Sequence, residues 1–168
     1  MTASPENHHI HLQRCIDLAK QALDEGNDPF GSLLLSAEGE VLFEDYNHTV
    51  NGNKMLHPEL AIAQWAVENM TEEERATAVV YTSGEHCAMC SAAHAWVGLG
   101  KIVYATSAKQ LGKWMSEFNA EPPPIRLLGI KDIAPAIETE GPFEEFAEEI
   151  RELHKNNMEP RNRENPDL

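Results

Sequence analysis

The chain has 168 residues, 42% hydrophobic and 24% charged, which suffices for a core without disulfide staples and excludes extended disorder. Thirteen Lys and Arg against 28 Asp and Glu give a formal net charge of −15, a field that repels phosphate backbones and anionic membranes and sets nucleic acid aside as a partner. The three cysteines, with no basic-then-apolar leader and no apolar run near the ~18 residues of a membrane span, point to a cytoplasmic protein rather than a secreted disulfide scaffold.

Residues 1–168 read as a single domain with loose polar tails at 1–8 and 157–168. Ile10, Cys15, Leu18, Ala19, Ala22 and Leu23 recur at helical spacing over 9–25, and Gly26 stops the run. The apolar run 30–36 and the stretch 41–46, joined by Ala37-Glu38-Gly39, predict a hairpin. After a polar loop at 47–56, a helix is expected over 58–70, with Pro58 in its first turn. A strand at 77–82, a turn at 83–86, a helix over 87–99 and a strand at 101–106 follow. Next come a helix over 107–118, a stiff Pro-rich connector at 121–125, a last strand within 126–133 and an acidic amphipathic helix over 142–155. This alternation implies a three-layer α/β/α sandwich around a mixed five-stranded sheet.

Two segments at predicted helix starts carry chemistry: His57-Pro58-Glu59 and His86-Cys87-Ala88-Met89-Cys90. Cys87 and Cys90, three residues apart, can share one side of a helical turn, and a helix N-terminus favours the thiolate. Two sulfurs and one imidazole suit Zn²⁺ and leave a tetrahedral ion one position for water, the mark of a catalytic rather than a structural site. Glu59 could reach that water without ligating and move its proton. Other readings stand beside this one. The Cys pair could be redox-active or half of a zinc ribbon, although no second pair exists and the motif follows the third predicted strand. His94 or His86 could serve as a ligand, and His94 could close a Cys₂His₂ site with His57. Cys15, on the apolar face of the first helix, reads as core.

His-Pro-Glu followed by a Cys-x-x-Cys beginning thirty residues after His57 resembles the zinc-dependent cytidine deaminase-like superfamily, whose signature is H-x-E…P-C-x-x-C. Pro29-Phe30-Gly31, Asn47, Tyr81-Thr82-Ser83-Gly84-Glu85 and the strand at 100–104 are similar to further motifs of that family, over about residues 9–118. The resemblance implies that His57, Cys87 and Cys90 bind one Zn²⁺ per chain, that Glu59 is the catalytic proton shuttle, that Asn47 helps to hold the substrate, and that the chain forms a homodimer. The implied reaction is hydrolytic deamination of an amino-heterocycle, a small nucleobase with guanine first. Nucleosides, cytosine, isocytosine and triazines stand behind it, and a tRNA adenosine deaminase or a non-catalytic zinc module further back.

The expected substrate contacts are Phe30, Asn47, His86, Trp96, Trp114 and Glu117. Trp114 and Phe118, at i and i+4, could equally pack against the sheet, and a helix Trp such as Trp96 is commonly core. Three departures from the family pattern bear on substrate: Pro58, which has no N–H to offer a ring, His86 in place of proline before the first cysteine, and Asn53-Lys54-Met55-Leu56 before His57.

Overall fold

Leu33 and Leu35 point to one face of a strand and Leu34 to the other, and all three are buried. A strand apolar on both faces must lie inside a sheet covered on both sides. The computed structural model describes residues 5–164. Its elements are α1 (Pro5–Asp24), β1 (Gly31–Leu35), β2 (Val41–Tyr46), α2 (Pro58–Asn69), α3 (Glu72–Thr77), β3 (Val79–Gly84), α4 (Ala88–Trp96), β4 (Lys101–Thr106), α5 (Ala108–Glu117), α6 (Ile130–Ile133), β5 (Thr139–Glu140), a 3₁₀ turn (Glu144–Phe146) and α7 (Ala147–Glu164).

The strands form one five-stranded sheet in the order β2-β1-β3-β4-β5. β1 is antiparallel to both β2 and β3, whereas β3, β4 and β5 run parallel. On one face Leu12, Cys15 and Ile16 of α1, Trp114 and Phe118 at α5, and Phe146 and Ile150 cover Leu33, Tyr81 and Val103. On the other, Ile62, Ala63 and Ala66 of α2 cover Leu34 and Val80, and α4 packs against α2. The expected three-layer sandwich with a mixed sheet is therefore the fold.

α1 lies hard against the start of β1. A Cβ on Gly31 would stand 2.3 Å from the Cys15 carbonyl oxygen and 2.5 Å from Leu18 Cβ, so only glycine fits. The β1–β2 hairpin turns through Gly39 at φ +88°, with Ser36 N–H donating to Glu40 O.

The differences from expectation lie at the ends and in the last third. α1 begins at Pro5 and α7 runs to Glu164, so residues 5–8 and 157–164 are helical rather than loose; residues 1–4 and 165–168 lie outside the described part. Docking explains both ends: His8 is buried with Nδ1 2.8 Å from Tyr81 Oη, and buried Asn157 donates Nδ2–H to Asp28 Oδ1 at 2.9 Å. Residues 126–133 hold no strand. Ile130–Ile133 is a helical turn whose Ile130 packs with Ala134 and Ile137 on Ile102, and β5 at Thr139–Glu140 takes the sheet edge. Glu72–Thr77 adds a short helix that the sequence reading missed, started by a reciprocal Thr71–Glu74 capping box. β3 starts at Val79 and ends at Gly84, and α4 stops at Trp96.

Candidate active site

His57 and Cys87 are the residues that start α2 and α4, the two helices packed side by side on one face of the sheet. Pro58 fixes the first turn of α2, where its missing N–H costs no hydrogen bond. Cys90 lies one turn into α4 and is fully buried. The site thus stands at the carboxyl end of β3, where the chain leaves the sheet for the crossover helix, the usual place for a ligand in parallel α/β architecture.

His57 Nδ1 lies 3.7 Å from Cys87 Sγ and 3.5 Å from Cys90 Sγ, and the three ligand atoms all fall within 4.8 Å of one another. A tetrahedral ion with Zn–S of about 2.3 Å and Zn–N of about 2.0 Å separates sulfur from nitrogen by roughly 3.5 Å. Donor type and spacing both fit zinc.

The electrostatics agree. The Cys90 thiol and His57 hold the Cys87 thiol down to about 4 against burial. Cys90 is pushed up by the Cys87 sulfur beside it and by burial. The Cys87 sulfur raises the His57 imidazole. Two sulfurs that cannot both carry charge alone can do so around a divalent cation.

Glu59, two residues beyond His57, is 6% exposed. Burial pushes its carboxyl above the ordinary range, opposed by His57 and by a hydrogen bond from Ser32. Its Oε1 lies 2.9 Å from Ser32 Oγ and 3.1 Å from Thr82 Oγ1, hydroxyls of adjacent strands that are 2.9 Å from each other.

A cavity of about 60 Å³ opens on this group. Its walls include Phe30, Asn47, His57, Glu59, His86 and Cys87, together with Arg126, Leu127 and Leu128. Buried Asn47 has an Oδ1 with no protein partner, and both ring nitrogens of buried His86 likewise have none. The His86 ring meets His94 edge-on at 5.4 Å, and burial holds it well below the ordinary histidine range.

Among the expected substrate contacts, the structure brings Phe30, Asn47 and His86 to the cavity and leaves three away from it. Trp96 is 89% exposed at the end of α4, because Cys90, Ser91 and His94 occupy that helix's inner face. Trp114 is buried in the core on the opposite side of the sheet, as its packing alternative had it. Glu117, on the outer side of α5, accepts from Arg151 Nη2 at 3.1 Å. His94 is not among the clustered ligand atoms; its Nε2 bonds to Gly100 O at 2.7 Å.

The sequence reading missed Ser32, Thr82 as a partner of Glu59, and Glu85. The Glu85 carboxylate accepts from Ala108 N–H at 2.8 Å and Ile130 N–H at 2.7 Å, tying the starts of α5 and α6 together beside the cavity. Polar residues inside otherwise apolar strands were the available signal for the first two.

The family described as the cytidine and deoxycytidylate deaminase zinc-binding region matches residues 5–106. The chain belongs to that family and is a zinc-dependent aminohydrolase. It is 30% identical over 146 residues, 84% of this chain and 88% of the relative, to the probable cytosine deaminase of Schizosaccharomyces pombe. It is 28% identical over 111 residues, 63% of this chain and 70% of the relative, to the guanine deaminase of Bacillus subtilis. The solved structure of the guanine deaminase from Nitrosomonas europaea shares the fold, with a TM-score of 0.65 over 94% of this chain and 86% of that one at 20% identity.

Proposed function

We propose that the chain deaminates a free amino-nucleobase, replacing an exocyclic amine by a keto group and releasing ammonia. The observation that carries this reading is that one small cavity is lined by two of the metal-site residues, the buried Glu59 and the unpartnered Asn47 Oδ1. Zinc held by His57, Cys87 and Cys90 would supply a water acidified towards neutral pH. Glu59 would take one proton from the attacking water and pass it to the ring nitrogen, then carry the second proton from the new hydroxyl to the amine, so that the C–N bond breaks, ammonia leaves and the keto group remains. Asn47 Oδ1 accepts from a ring or amine N–H, and His86 offers a polar edge on the same wall.

A cavity of about 60 Å³ suits a compact ring, and the 30% identity over 88% of the probable cytosine deaminase of Schizosaccharomyces pombe supports a free base. Trp96 and Glu117, expected among the substrate contacts, stand away from the cavity. A single-ring base of the cytosine type is therefore the first substrate and guanine the second, the latter supported by the Bacillus subtilis relative.

A homodimer remains the expected assembly: Trp96, 89% exposed, and Ala95 leave an apolar end of α4 for a second copy. A cytoplasmic setting suits the free cysteines, and no helix among the described residues is long and apolar enough to cross a membrane.

The test is ammonia release by the zinc-loaded protein from cytosine, isocytosine, guanine, adenine, amino-triazines, cytidine and guanosine. Free bases are expected to exceed nucleosides in kcat/KM by about tenfold or more, the discrimination that a missing or clashing contact supplies. Preferential turnover of nucleosides, or no ammonia from any compound with zinc bound, overturns the reading.

A further inference from the structure

Ser32 sits on β1 and Thr82 on the neighbouring β3, and both are fully buried. They are register partners across an antiparallel pair, so their side chains leave the sheet side by side. Buried hydroxyls inside a sheet need partners, and these two converge on one atom, Glu59 Oε1, at 2.9 and 3.1 Å.

The two hydroxyls have two protons between them and a choice of acceptors. Ser32 can donate to Glu59 Oε1 or to Thr82 Oγ1, and Thr82 to Glu59 Oε1 or to Gly84 O at 2.9 Å. Whichever acceptor each proton takes, both hydroxyl oxygens stand within hydrogen-bond distance of the same carboxylate oxygen, Oε1. We infer that Ser32 and Thr82 are positioning residues for the proposed deamination. They clamp the Glu59 carboxylate by Oε1, fix its plane and leave Oε2 as the oxygen that exchanges protons with water and substrate.

A carboxylate held this way needs no reorganisation during turnover. A general acid–base that must serve two acceptors in succession, ring nitrogen and amine, gains from a fixed plane, because small misplacements cost rate. The clamp is built from the sheet, which the packing of helices on both faces makes rigid.

This inference rests on the proposed reaction, and its test separates the two. Ser32→Ala, Thr82→Val and Thr82→Ser are compared in the zinc-loaded protein for kcat, KM, zinc content and crystal structure. Ser32→Ala and Thr82→Val should each lower kcat by about 10- to 100-fold, with KM and zinc content unchanged and the Glu59 carboxylate rotated. Thr82→Ser, which keeps the hydroxyl, should restore kcat to within about threefold. Unchanged kcat in both hydroxyl-deleting variants, or a Glu59 carboxylate oriented as in the parent in both, overturns the inference. Should Thr82→Val fail to fold, Ser32→Ala decides alone. Should the parent release no ammonia from any base, the proposed reaction falls and the crystallographic orientation of Glu59 still decides the clamp.

Discussion

Glu59 is a buried acid two residues from His57, a costly arrangement that the Ser32 and Thr82 hydroxyls only partly offset. Converting it to Gln keeps shape and hydrogen bonds but removes proton transfer. Glu59→Gln should bind zinc as the parent does and lose about 10²- to 10⁴-fold in kcat, which zinc analysis alongside ammonia release will check. His154 is a second buried ionisable group, packed on α7 against Phe30 and Trp114 with the Asp28 carboxylate nearby. Burial lowers its pKa from 6.5 to about 4, with Asp28 opposing weakly. Between those values the unfolded chain binds a proton that the folded chain refuses, so this contribution is complete above about pH 6.5 and is lost as the pH falls towards 4. The loss amounts to about 2 kcal/mol at pH 5. Urea midpoints at pH 7.5 and 5 should therefore converge more closely in His154→Leu than in the parent.

At the scale of elements, every strand before residue 107 and every helix that carries a metal-site residue could be read from the sequence, because alternation and helical spacing there reflect burial on two defined faces. The last third was misread for a physical reason. Arg126-Leu127-Leu128 looks like an apolar strand, but its leucines line the cavity, and Glu85 draws Ile130, two residues on, into a helical turn. That bond joins positions 45 residues apart, beyond the reach of local periodicity. Trp96 was misplaced similarly: an aromatic on a helix reads as core or site until the packed face is known. Two substitutions probe the junctions between elements. Gly31→Ala forces α1 off β1 and should cost about 1–3 kcal/mol in denaturant unfolding. Glu85→Ala leaves two N–H groups without their acceptor at the starts of α5 and α6. It should cost a comparable amount and raise KM more than it lowers kcat, as steady-state kinetics will show.

For the whole molecule, a zinc ion held by His57, Cys87 and Cys90 would tie the N-terminus of α2 to that of α4, elements separated in the chain by α3 and β3. Zinc binds this geometry only when the chain is folded, so stripping it with a chelator should lower the unfolding free energy by about 4 kcal/mol at a free zinc concentration 1,000 times its dissociation constant. One equivalent of zinc per chain should restore it, as calorimetry with and without chelator will report. Net charge acts in the other direction. With −15 on 168 residues the folded chain repels itself, and raising NaCl from low millimolar to physiological strength should raise the melting temperature by screening.

The double grip of Glu85 has a practical corollary. The strip 121–129 is bounded by three consecutive prolines near its start and by that carboxylate's hold on Ile130 at its end, and between these anchors Arg126, Leu127 and Leu128 line the cavity. The strip can be swapped as a cassette: randomising 125–128 would redesign which ring the enzyme accepts while its metal-binding residues go untouched.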